Sequence, residues 1–156
     1  IKKNNNEVYG DIIAKSCKIK PIKASKEYYV KATDEYPILF VIAALTNGVS
    51  VFRGIGDLAN KESNRIKEMQ KILKQIGVNS KASKSELKIF GKNFFHKKNI
   101  KIKVGNLGDH RIAMSSLILS LVTGINTNIK NFETVYTSSP SFLKIVKYLG
   151  GKFETY

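Results

Sequence analysis

Two stretches decide the fold: Asp34-Glu35-Tyr36-Pro37-Ile38-Leu39-Phe40-Val41-Ile42-Ala43-Ala44-Leu45 and, 75 residues on, Asp109-His110-Arg111-Ile112-Ala113-Met114-Ser115-Ser116-Leu117. Each starts on an acidic residue placed as an N-cap, runs on as an apolar helix and meets a glycine stop, Gly48 in one and Gly124 in the other. Outward from these helices the chain says the same thing twice. After the first come a strand at Val49–Phe52, a helix capped by Ser63 and ended by Gly77, and strands near Val78–Ala82 and Leu87–Phe90. After the second come a strand near Thr127–Asn131, a helix started by Ser139 and Pro140 and ended by Gly150-Gly151, and a last strand from Lys152. The matched points Ser63/Ser139 and Gly77/Gly150 lie 76 and 73 residues apart, so one supersecondary unit is used twice.

A strand precedes each first helix, at Tyr28–Lys31 and Ile100–Val104, which makes the unit βαβαββ, complete in the first copy and one strand short in the second. The expected class is α/β (α+β): one domain spanning 1–156, with mixed parallel and antiparallel sheets packed around amphipathic helices. Its units cover about 27–91 and 100–156, after a remnant of an earlier unit in 1–26, with a linker at Lys92–Asn99. The short second unit predicts an exposed sheet edge near Lys152–Tyr156.

The length of 156 residues supports one domain with its own core. The longest apolar stretch is far too short for a membrane span, and no signal peptide opens the chain. The lone Cys17 has no internal disulfide partner, fits a reducing cytoplasm and reads as a small half-buried residue. The polar opening without an initiator Met reads as a fragment. The net charge of +15 favours anionic partners, although a lysine-rich composition accounts for much of it. Of 27 basic residues only Arg53, Arg65 and Arg111 are arginines, the side chain whose planar fork suits carboxylate and phosphate.

Three polar clusters fall at expected helix N-termini: Asp34-Glu35-Tyr36-Pro37, Lys61-Glu62-Ser63-Asn64-Arg65 and Asp109-His110-Arg111. A fourth start, Thr137-Ser138-Ser139-Pro140, is rich in hydroxyls. Helix N-termini carry free N–H groups and partial positive charge, so ends of this kind suit a substrate with several anionic groups. Taken singly, the acids read as caps or surface groups, His110 as a structural histidine and Arg65 as a surface residue. Taken together, they predict that Asp34, Lys61, Glu62, Arg65, Asp109, His110 and Arg111 converge on one face.

The strings Asp-Glu-Tyr-Pro-Ile-Leu (34–39), Lys-Glu-Ser-Asn-Arg (61–65), Asp-His-Arg-Ile-Ala-Met (109–114) and Ser-Ser-Pro-Ser-Phe (138–142) resemble the C-terminal signatures of the EPSP synthases, the 3-phosphoshikimate 1-carboxyvinyltransferases. The resemblance covers essentially the whole chain, in the family's order and spacing. It implies part of a two-domain cytoplasmic enzyme of six βαβαββ units, an inside-out α/β barrel with substrates between the domains. It further implies enolpyruvyl transfer from phosphoenolpyruvate to the 5-hydroxyl of shikimate 3-phosphate, with no cofactor and no metal ligands. On that resemblance Asp34 and Glu62 are the catalytic carboxylates and Lys61 contacts the 3-phosphate. Arg65 and Arg111 hold phosphoenolpyruvate, with Asp109 and His110 beside them as substrate-binding residues. The implied partners are the two substrates and the enzyme's N-terminal domain, with no membrane.

The chain also departs from the family's pattern. Ala59-Asn60 replace an Arg-Val pair, Asn64 replaces an Asp, Ser139 stands in place of a Phe, and Thr137 stands where one branch has a phosphoenolpyruvate-binding lysine. A competing reading is a basic nucleic-acid-binding module, resting on Phe90-Gly91-Lys92-Asn93-Phe94-Phe95-His96-Lys97-Lys98, where aromatics and bases interleave.

Overall fold

The computed structural model describes residues 2–4, 7–93 and 100–155. Strands β1 (Lys2–Asn4) and β2 (Glu7–Tyr9) form an antiparallel pair, and the exposed stretch 10–21 that follows belongs to no helix or strand. Cys17 lies in that stretch and is exposed, not half-buried.

Next come β3 (Lys23–Ala24), α1 (Lys26–Lys31), a 3-10 turn at Thr33–Glu35, α2 (Tyr36–Ala44) and β4 (Gly48–Arg53). The strand expected at Tyr28–Lys31 is therefore a helix. Its aromatic and β-branched run invites a strand reading, but only Tyr29 is buried while Tyr28 and Val30 face out. Glu27 in the first turn and Lys31 in the last also complement a helix dipole. The parallel partner of β4 is instead β3, with Lys23 opposite Val51 and Ala24 opposite Phe52.

A 3-10 helix at Gly56–Asn60 leads into α3 (Arg65–Gln75), then β5 (Asn79–Ala82) and β6 (Glu86–Gly91). The four-stranded sheet runs β3-β4-β6-β5, parallel at β3/β4 and antiparallel elsewhere, so it is mixed as expected. On α3 the residues Ile66, Met69, Ile72 and Leu73 face inward at helical spacing. By contrast, α2 is apolar all round and lies in the core. Tyr36, Phe40 and Phe52 meet edge to face there, with Phe40 and Phe52 centroids 4.9 Å apart. The sheet approaches α2 so closely that a Cβ on Gly91 would collide with the carbonyl oxygens of Ala43 and Thr46.

The second half repeats the crossover: β7 (Lys101–Val104), α4 (His110–Thr123) and β8 (Asn126–Ile129), with β7 and β8 parallel and Lys101 opposite Asn126. Gly124 closes α4 at φ 66°, a left-handed C-cap. The remainder differs from expectation. A 3-10 helix occupies Phe132–Thr137, so α5 (Phe142–Tyr148) starts after Ser141 rather than at Ser139 and Pro140. Residues 151–155 form no strand, which removes the expected sheet edge there: the alternation around Phe153 has no ladder beside it. A side chain of the first half also holds the edge of β7. The Gln75 amide accepts from Lys103 N at 2.8 Å and donates to Lys103 O at 3.0 Å, covering β7 as a neighbouring strand would.

Candidate active site

Asp109 is the most committed acid in the molecule. It caps α4, with Oδ1 accepting from the backbone N–H of Arg111 at 3.0 Å and of Ile112 at 3.3 Å. Its Oδ2 accepts from Ser63 Oγ at 2.8 Å and from Arg65 Nε at 3.0 Å. The side chain has 0% exposure, so all its capacity goes into joining the start of α3 to the start of α4.

Ser63 is free for that bond because it is not the cap of α3. Asn64 is, accepting from Lys67 N at 3.0 Å. The Asn64 departure from the family's pattern thus keeps a good capping residue. Arg65, the first residue of α3, is 1% exposed, and each of its nitrogens has a carboxylate: Nε on Asp109, Nη1 on Asp34 at 3.0 Å, and Nη2 on Glu62 at 2.5 Å. Burial works against the charged guanidinium, but Asp109, Asp34 and Glu62 outweigh it and raise its pKa above the ordinary arginine value.

Asp34 lies inside the 3-10 turn before α2 and caps nothing. Its side chain is 53% exposed and bridges both arginines, with Oδ2 3.4 Å from Arg111 Nη2. Burial pushes its carboxyl up, yet the Arg65 hydrogen bond and the charges of Arg111, Arg65 and Lys61 leave it below the usual value. It remains an ionised, accessible carboxylate. Arg111 also reaches Glu35 through Nη1 at 3.1 Å, while its buried Nε has no partner among the described residues.

Lys61 sits at the edge of this group, its Nζ 3.0 Å from Asp57 Oδ2. His110, the first residue of α4, is half-buried and makes no hydrogen bond or ion pair among the described residues. The hydroxyl-rich start at 137–140 does not join: Thr137 Oγ1 donates to the Thr134 carbonyl, and no bond links Ser138 or Ser139 to the cluster. The stretch from Phe94 to Asn99, the heart of the nucleic-acid reading, lies outside the described residues, and Phe90 and Gly91 belong to β6.

Asp34, Glu62, Arg65, Asp109 and Arg111 thus share one bonded network, with Lys61 close enough for its charge to act on Asp34. Sequence reasoning gave no role in the site to Glu35, Asp57 and Tyr29, and cast Ser63 as the cap of α3, a place that Asn64 takes. For Asp57 the i, i+4 spacing to Lys61 was the available signal, and for Glu35 its place beside Asp34. The charge balance also differs from a cationic pocket: two guanidiniums face four carboxylates, Asp34, Glu35, Glu62 and Asp109. The exposed, ionised Asp34 carboxylate beside the arginine forks can accept a proton and return it, and the forks can take a carboxylate or phosphate if an acid gives way.

A family model described as EPSP synthase (3-phosphoshikimate 1-carboxyvinyltransferase) matches residues 4–146. Among curated relatives, 3-phosphoshikimate 1-carboxyvinyltransferase of Clostridium tetani is 34% identical over 92% of this chain and 32% of its own length. That of Thermodesulfovibrio yellowstonii is 36% identical over 96% of this chain and 34% of its own. The chain therefore spans about a third of the length of the curated relatives it matches. EPSP synthase from Acinetobacter baumannii superposes with a TM-score of 0.69 at 31% identity, over 83% of this chain and 30% of that one. The enolpyruvyl transferase NikO from Streptomyces tendae, at 15% identity and TM-score 0.59, shares the fold. No helix among the described residues is long and apolar enough to cross a membrane. The matched span contains every residue of the bonded network, from Asp34 to Arg111, and the chain belongs to the EPSP synthase family.

Proposed function

We propose that this chain is the C-terminal part of a cytoplasmic enzyme of the shikimate pathway, which makes aromatic amino acids. It moves the enolpyruvyl group of phosphoenolpyruvate to the 5-hydroxyl of shikimate 3-phosphate. The hydroxyl oxygen adds to the enol carbon while a proton goes to the methylene carbon, giving a tetrahedral intermediate. That methyl then loses a proton, the bond to phosphate breaks and phosphate leaves. The reaction needs a base at the hydroxyl, an acid and base at the methylene carbon, and cations for the carboxylate and phosphate.

Asp34 takes the hydroxyl proton in this reading, and Glu62 serves the methylene carbon. Arg65 and Arg111 bind phosphoenolpyruvate with His110 beside them, Lys61 binds the 3-phosphate, and Asp109 holds Arg65 in place. The observation that carries the reading is the meeting of Arg65 and Arg111, from different repeats, on the single exposed carboxylate of Asp34. The surplus of carboxylates supports a partner as well. Further cations brought by an N-terminal domain closing over the site would offset them when an anionic substrate arrives.

By itself the chain should release no phosphate from phosphoenolpyruvate in the presence of shikimate 3-phosphate. Exchanged for the matching third of the Clostridium tetani relative, it should support transfer. In that chimera Asp34→Asn should lower kcat about 10²- to 10⁴-fold with a smaller change in KM. Full turnover by the Asp34→Asn chimera would remove Asp34 from the chemistry.

A further inference from the structure

Around Lys61 stand two side chains, Asp57 and Tyr29, that the proposed chemistry leaves unused. The Oδ2 atom of Asp57 lies 3.0 Å from Lys61 Nζ and also accepts a hydrogen bond from the Tyr29 hydroxyl at 3.0 Å. Tyr29 comes from α1, 28 residues earlier in the chain than Asp57, and is 8% exposed. Its ring stands edge-on to Tyr36 with centroids 5.3 Å apart, and Tyr36 in turn packs on Phe40 and Phe52. A continuous run of contacts thus passes from the aromatic core, through one hydroxyl and one carboxylate, to an ammonium group at the rim of the site.

An exposed lysine–carboxylate pair four residues apart is weak by itself, because a long flexible side chain loses rotamer freedom to hold it. Here the carboxylate is anchored to a buried ring, so the acceptor is already in place. Tyr29 supports the other side of the site too: Thr33 Oγ1 donates to its carbonyl at 2.8 Å, one residue before Asp34. We propose that Tyr29 and Asp57 are positioning residues that hold the Lys61 ammonium where an anionic group of the substrate arrives. This rests on the reading of Lys61 as a phosphate ligand given above.

Two substitutions separate positioning from its alternatives. Tyr29→Phe removes the anchoring hydroxyl without changing charge or touching the backbone carbonyl that Thr33 uses. Asp57→Asn keeps an acceptor for the hydroxyl but ends the ion pair. If Asp57 merely screens Lys61, its removal frees the ammonium charge and tightens anion binding. If it positions Lys61, its removal weakens binding.

The first measurement is side-chain ¹³Cε relaxation of Lys61 in the ligand-free 156-residue chain, with exposed Lys84 as reference. Lys61 should be the more ordered, and Tyr29→Phe should bring it to the mobility of Lys84 with little change in melting temperature. A Lys61 as mobile as Lys84 in the parent chain, or unaffected by Tyr29→Phe, would overturn the proposal. The second is a titration of the chimera described above with shikimate 3-phosphate, followed on the NMR signals of the ligand. Tyr29→Phe and Asp57→Asn should each weaken binding about two- to ten-fold, with part recovered in Asp57→Glu. Tighter or unchanged binding by Asp57→Asn also overturns it. Lys61→Met tests the underlying reading separately: absent binding by the unsubstituted chimera, or binding indifferent to Lys61→Met, sinks the phosphate role of Lys61, while the relaxation data still decide the tether.

Discussion

Asp34 and Asp109 open the two repeats at matching points, yet they do opposite work. Asp109 directly precedes its helix, is wholly buried and spends every lone pair on backbone N–H groups, Ser63 and Arg65. Asp34 is set two residues back in a 3-10 turn, half-exposed, and touches only guanidiniums. The halves around them differ in the same sense. The first repeat packs α3 and a four-stranded sheet on its core. The second has a two-stranded sheet and a short α5 whose only buried residue is Val146. Duplication supplied one acid twice, and a shift of one residue relative to the helix start made one a framework bolt and left the other exposed between two guanidiniums.

The sharpest way to break this contrast is Asp109→Ala. It strands the buried Arg65 charge and removes the α4 cap, and should cost about 3–5 kcal/mol in urea unfolding. A loss below about 1 kcal/mol would show that Asp109 is no more structural than Asp34. Leucines test the wider asymmetry. Leu73→Ala, from the buried face of α3, should cost about 2–5 kcal/mol. Leu149→Ala, at 76% exposure beyond α5, should stay within about 0.5 kcal/mol. Equal costs would mean the second repeat is packed more fully than its exposed side chains indicate.

The smallest expected effect concerns pH. The folded-state pKa of Asp34 is depressed, so its contribution is present above the ordinary carboxylate value near 3.8 and fades as pH falls through the lower folded value. Because the carboxylate is half-exposed, solvent screening keeps this below about 1 kcal/mol. The stability gap between the parent chain and Asp34→Asn should therefore close on acidification from pH 5 to pH 2. A gap that widens instead would reverse the sign assigned to the arginine contacts.

Sequence patterning was most legible where one signal acted alone. The Asp109 cap and the Gly124 stop bracket α4, and the apolar spacing of α3 marks its buried face. It was least legible where neighbours decide. Tyr28-Tyr29-Val30 has strand composition but lies in a helix, because Tyr29 alone is needed in the core. Phe153 alternates like a strand with no ladder to join. The site follows the same rule: the motif strings located its residues, but three of the five ion pairs that crowd four carboxylates around two guanidiniums cross between the repeats. Spacing within either repeat could not reveal that Asp109 faces Arg65 while Asp34 faces both arginines.

The Gln75 amide on Lys103 has a consequence for solubility. A two-stranded parallel sheet is short of neighbours, and an open strand is a template for other chains. By taking both main-chain groups of Lys103, a single glutamine from the other repeat closes that position of β7 to an incoming β-segment. An amide side chain here stands where a third strand would pair.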